Sequence, residues 1–185
     1  MSTSAILISI AIVIAAVAIG WFLYQRQRRK ALRARFGPEY SHAIREYGDE
    51  SHAADALARR ERRMEKIHIR SLSREDQRRF LDQWEEVQRD FVDDPPDSIR
   101  RADALVCDVM RARGYPMSDF EHRAEDLSVD HPEVVQNFRA AHSIAQRHEK
   151  GQAGTEDLRK AMVFYRDLFD ELLEAHPAGE RRSSR

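Results

Sequence analysis

Twenty consecutive residues, Ala5 to Tyr24 (AILISIAIVIAAVAIGWFLY), carry no charge, and Ser9 is the one strongly polar side chain before the aromatic end. No other feature of the chain limits its fold so sharply. A helix rises about 1.5 Å per residue, so the run is about 30 Å long, the thickness of a bilayer's hydrocarbon core. Lipid offers backbone N–H and C=O groups no partners, and a helix satisfies them internally. Apolar residues occupy every side of the run, with no polar stripe of the kind a globular core helix turns to solvent.

The flanks give the run a direction. Trp21 and Tyr24 stand at its C-terminal end, where interfacial aromatics belong. There follows QRQRRKALRAR, a neck with Arg26, Arg28, Arg29, Lys30, Arg33 and Arg35 and no acid, whereas no charged side chain precedes Ala5. Positive flanks stay cytoplasmic, so the expectation is N-terminus out and C-terminus in, at the cell inner (plasma) membrane. A cleaved signal peptide is the rival, with Ala16-Val17-Ala18 as its cleavage site. Residues 1–4 lack the basic n-region it needs, and the apolar run exceeds the usual h-region. Ala11/Ala15 and Ala16/Gly20 have small-xxx-small spacing, which permits close helix approach but is common in any Ala-containing membrane helix.

Charge is divided unevenly along the chain. All 32 acids and 25 of the 31 cations lie beyond residue 35, a net of −7 against +6 for the neck. An acidic body argues against general nucleic-acid binding. The basic neck suits anionic lipid headgroups, each cation near the surface contributing about 1 kcal/mol. Only four of the cations are Lys, a skew expected of a GC-rich bacterial genome. The single Cys107 forms no internal disulfide, which fits a reducing compartment.

The expected order is an anchor (1–24), a neck (25–35), one helical soluble domain (36–178) and a disordered tail (179–185). The anchor helix runs on through the breaker-free neck until Phe36-Gly37-Pro38. Pro38 to Tyr47 reads as a short helix, with Tyr40, Ile44 and Tyr47 on one face. Glu50 to Lys66 follows; its RRERRMEK run is read as a solvated, charge-laced face, with a nucleic-acid patch as the lesser alternative. Ile67 to Leu72 is an extended link. Ser73 with Asp76 resembles a capping box ahead of a helix to Val92, whose core stripe is Phe80, Trp84, Val87 and Phe91. Asp97 or Ser98 to Arg113 is the next helix, stopped by Gly114. Ser118 is expected to cap a helix to Asp126, and LSVDHP (127–132) to turn, with Asp130 as the cap of a helix from Pro132 to Lys150. Thr155 caps the last helix, which ends at His176-Pro177. No segment alternates with period two, so the fold class is all-α: an N-terminal transmembrane helix followed by an antiparallel helical bundle.

Four strings, FGPEY (36–40), FVDDP (91–95), RGYP (113–116) and LSVDHP (127–132), resemble a group of bacterial proteins of uncharacterised activity. The resemblance covers most of the chain. It implies a single-pass anchor followed by a charged helical body, and carries over no catalytic residue.

Motifs that carry chemistry are scarce. Asp126, Asp130 and His131 share one turn and offer three metal-ligand types, but the local sequence provides no fourth ligand and Asp130 is needed as a cap. His148-Glu149 begins a zinc-protease motif that lacks its second His, and His142 lies six residues from His148, off its face. Asp93, Asp94 and Asp97 lack the Gly and distal Glu of a calcium loop. No phosphate-binding or nucleophile-elbow motif occurs. Cys107, between Val106 and Val109, is read as a buried structural thiol. No catalytic, cofactor or metal residue is therefore assigned, and no cofactor is expected. The expected function is a cytoplasmic interaction or scaffold module for an unknown protein partner, with the lipid bilayer as its other partner. The alternatives are a metal- or ligand-binding, enzyme-like helical domain and an exported helical protein.

Overall fold

The neck from Gln25 to Arg35 contains no helix breaker, and one helix runs from Thr3 through Gly20 and the neck to Phe36. The structure, a computed structural model, describes residues 3–174, with side-chain surroundings from residue 12 onward. Eight helices, and no strand, occur among the described residues: α1 (Thr3–Phe36), α2 (Pro38–Tyr47), α3 (Glu50–Met64), α4 (Arg74–Asp90), α5 (Pro95–Arg113), α6 (Phe120–Asp130), α7 (Val135–Glu149) and α8 (Thr155–Glu174). The all-α expectation therefore holds. The tail expected at 179–185 and the stop at His176-Pro177 lie outside the described residues.

Among the described residues no helix is long and apolar enough to cross a membrane. The first seven residues of the apolar run, 5–11, fall outside those whose side chains are described. What remains, Ile12 to Tyr24, amounts to about 20 Å of helix, short of a bilayer's core.

The chain divides into two compact units, Met1–Leu57 and Ala58–Arg185, with the division inside α3. In the first unit, Gly37 (φ 47°) turns the chain between α1 and α2, and its N–H donates to Arg33 O at 3.1 Å. Pro38 takes the first helical position, where its missing N–H costs nothing. Gly48 ends α2 in the left-handed region (φ 85°) and donates to Ile44 O. The Asp49 carboxylate then accepts from the N–H groups of Ser51 (2.7 Å) and His52 (2.9 Å), giving α3 its N-terminal cap. The bond from the His52 N–H first, then that from the His52 ring, and less so the one from Ser51, hold its pKa at about 2. Leu32, Phe36, Tyr40 and Ala43 are buried; Arg33 lies over the Tyr40 ring, 5.7 Å from its centroid.

In the second unit α5 packs against α4, α7 and α8, and α7 lies along α8. The apolar stripes meet here as their spacing requires. Ile99, Ala102, Val106, Val109 and Met110 of α5, Phe138 of α7 and Leu158, Tyr165, Phe169 and Leu172 of α8 are all buried. Trp84 of α4 stacks on Phe169 with centroids 4.7 Å apart. The extended link is tied to the end of α5: the Arg70 N–H donates to Arg113 O (2.9 Å), and Arg70 Nε donates to Ala112 O (2.7 Å). Arg113 is buried and donates from NH1 to Leu172 O (2.9 Å), satisfying a carbonyl near the end of α8. Gly114 adopts φ 93° as the C-cap of α5.

Several helix starts differ from expectation. Ser73 does cap α4, accepting from the Asp76 N–H, but Asp76 answers by accepting from the Ser73 hydroxyl. The helix α5 starts at Pro95 rather than at Asp97 or Ser98, and Asp94 caps it: two prolines at the helix start leave the Asp97 N–H as the first free donor, 3.0 Å from Asp94 Oδ1. Asp119, not Ser118, caps α6 through the His122 N–H. The largest correction is LSVDHP. The helix runs on to Asp130, with Leu127, Ser128 and Val129 buried, so the turn is confined to His131–Val134 and Asp130 caps nothing. Burial of this Leu-Ser-Val stretch outweighs the turn-forming tendency of Ser128 and Asp130.

Candidate functional site

Arg26, Arg29, Lys30 and Arg33 stand at i, i+3, i+4 and i+7, which places them on one side of α1. Within the first unit they line a cleft of about 260 Å³, together with Phe22, Gln25, Tyr40 and Glu50. Four cations face one acid there. Arg29 NH1 lies 3.6 Å from Glu50 Oε2, and both side chains are about half exposed. Arg28 points elsewhere, pairing with Asp55 at 3.3 Å. Tyr40 at the cleft wall has its phenol pKa raised, first by burial and then by the Glu50 charge; it stays neutral and can donate its hydroxyl. Arg26, Lys30 and Arg33 give the cleft its excess positive charge. Chemically it can hold an anion.

Immediately N-terminal, Ile12, Val13, Ile14, Val17, Ile19, Trp21, Phe22, Leu23 and Tyr24 are all exposed, between 55% and 66%. Elsewhere among the described residues only Leu81, Val92 and Val163 are large exposed hydrophobics. A shallow apolar groove of about 380 Å³ runs along Val13, Ile14, Val17, Ala18 and Trp21.

The turn singled out for its ligand types does not converge. Asp126 accepts from Arg63 (Nε 2.8 Å, NH2 2.6 Å), Asp130 accepts from the Tyr115 hydroxyl (3.2 Å), and His131 Nδ1–H donates to Glu171 Oε1 (2.8 Å). Each is engaged with a different helix or segment. Among the described residues no three His, Cys, Asp or Glu side chains form a cation-binding group. His131 is buried, and that burial lowers its pKa against the opposing pull of Glu171.

The RRERRMEK run is not merely a solvated face. Arg60, 2% exposed, donates to Glu125 at 3.0 Å, and Arg63 donates to both Glu125 and Asp126. This ion-pair cluster joins α3 to α6 inside the second unit. Its signal in the sequence was the i, i+3 spacing of Arg60 and Arg63, matched by the adjacent Glu125 and Asp126, but nothing local showed that the two segments meet.

A second polar cluster joins α5 and α8. The buried Tyr165 hydroxyl donates to Asp103 Oδ1 at 2.9 Å, and its pKa is raised by burial and then by Asp103. The Cys107 thiol is pushed up to about 11, first by burial and then by Asp103, which keeps it protonated at neutral pH. His142 stacks on Phe120 with centroids 3.6 Å apart, and burial lowers its pKa. These groups brace the bundle rather than activate one another. Cys107, expected to be buried, is only half-buried, and nothing local in the sequence pairs Tyr165 with Asp103, 62 residues away.

No protein family, curated protein or solved structure matches this chain.

Proposed function

We propose that this is a single-pass membrane protein whose Ala5–Tyr24 run is the anchor, oriented N-terminus out, and whose helical body is presented to the cytoplasm as an interaction or scaffold module for a protein partner. The observation that carries this reading is the coat of large apolar side chains from Ile12 to Tyr24, exposed on every side and followed at once by the basic neck. Each such side chain gains about 1.5–3 kcal/mol on leaving water, so nine of them left exposed forfeit on the order of 10 kcal/mol. A bilayer removes that cost. Together with residues 5–11 the run reaches about 30 Å, which suits a membrane rather than a protein groove. The six neck cations then meet anionic headgroups on the cytoplasmic side. A place among bacterial membrane-anchored helical proteins, as the FGPEY, FVDDP, RGYP and LSVDHP strings imply, accords with this.

Carbonate extraction of membranes from cells making the full chain tests the anchor. The wild type is expected in the pellet. Ile14→Arg with Val17→Arg places two cations at the middle of the run, at about 2.5–3.5 kcal/mol each, and is expected to move the protein to the supernatant. A wild-type chain released by carbonate overturns the proposal.

A further inference from the structure

We propose that the cleft of α1 is a phospholipid-binding site selective for a dianionic headgroup of the inner leaflet, with an acyl chain lying in the apolar groove beside it. This rests on the anchor reading given above and says which lipid the neck holds. Two independent features of the surface meet here. The cleft is cationic: Glu50 pairs with Arg29, and Arg26, Lys30 and Arg33, the last also lying over the Tyr40 ring, supply the excess charge that an anion would meet. The groove is apolar. Ala18 of the groove and Phe22, Gln25 and Arg29 of the cleft stand at i, i+4, i+7 and i+11, one stripe of α1 running from apolar to basic. A free phosphate would use only half of this surface; an amphiphile uses both. With four cations against one acid the cleft holds a net of +3, so a headgroup with one negative charge leaves it under-neutralised and one with two fits better. At about 260 Å³ it is below the usual size of drug-like ligand pockets and suited to a headgroup. The shared stripe places the headgroup beside Trp21 and Tyr24, where the hydrocarbon ends.

The test uses the full chain in zwitterionic detergent micelles. It is titrated with diphosphatidylglycerol, with phosphatidylglycerol at equal total charge, and with inorganic phosphate. Two charge-matched variants are compared, Arg26→Gln/Arg33→Gln inside the cleft and Arg28→Gln/Arg35→Gln outside it. Diphosphatidylglycerol is expected to bind tightest. The inside variant is expected to lose about 30-fold, two cations at about 1 kcal/mol each, and the outside variant less than threefold. Glu50→Gln is expected to tighten binding about fivefold, a gain that misfolding does not produce. Equal losses in the two variants, no preference over phosphatidylglycerol, or inorganic phosphate binding as well as lipid would each overturn the site, the first by reducing it to diffuse charge. Carbonate extraction of the same variants separates the two readings. Retention in the pellet with no lipid selectivity removes the cleft alone, whereas release of the wild type removes the anchor.

Discussion

Replacing Arg63 by Met puts the α3–α6 ion-pair cluster to a quantitative test. Asp126 is 3% exposed at its side chain and accepts two short hydrogen bonds from Arg63, whose own side chain is 40% exposed. Arg63→Met therefore leaves a carboxylate buried without its main partner, a change that costs about 3–5 kcal/mol in buried pairs. Two features bring the expectation to the lower end, about 3 kcal/mol: water already reaches the pair from the Arg63 side, and Arg60 stays close by on Glu125. The reverse change is milder. Asp126→Asn keeps an acceptor, and the half-exposed guanidinium can rehydrate, so about 1–2 kcal/mol is expected. Arg63→Met with Asp126→Leu removes both charges and is expected within about 1 kcal/mol of wild type. Urea unfolding in a Trp21→Phe background, where Trp84 is the one remaining indole, reads these differences, because Trp84 stacks in the core on Phe169. An Arg63→Met cost below that of Asp126→Asn would refute the assignment of Asp126 as the desolvated partner.

Three further predictions follow from the second unit. Burial lowers the pKa of both His131 and His142, opposed by Glu171 in one and Asp103 in the other. The unfolded chain therefore takes up protons first, so their stabilisation is complete above about pH 6.5 and is lost as pH falls through the folded values; the urea midpoint should drop toward about pH 5, and His131→Gln should flatten that slope. Gly114→Ala forces a side chain into φ 93° with its Cβ 2.8 Å from the backbone oxygen of His68, and should cost about 2–3 kcal/mol, read as a lowered urea midpoint. Cys107, with its thiol pushed up to about 11, should react with iodoacetamide at mildly alkaline pH about a hundredfold more slowly in the native chain than in urea.

Much of the fold was legible because its signals are local. The stripe of Phe80, Trp84 and Val87, with Phe91 half-buried at the C-cap of α4, the prolines that open α5, and Gly48 and Gly114 at helix ends each act within one or two turns. The misreadings arise where tertiary burial competes with a local preference. Ser128 and Asp130 favour a turn in isolation, yet α6 continues through them because Leu127 and Val129 are buried. The polar clusters were illegible for another reason: Arg63 with Asp126, Tyr165 with Asp103 and His131 with Glu171 lie 40 to 63 residues apart in sequence. In the neck the six cations were plain, but not their division into those that line a cleft and those, such as Arg28, that do not. That depends on Glu50 and Tyr40 reaching the same side of α1.

The orientation of the chain is the claim from which the headgroup site, the cytoplasmic body and the search for a partner all descend. A reporter fused after Arg185 in living bacteria tests it most directly. Activity confined to the cytoplasm is the predicted result. Activity confined to the far side of the membrane would contradict the account, make the body an exported domain, and place the basic neck on the side that positive flanks avoid.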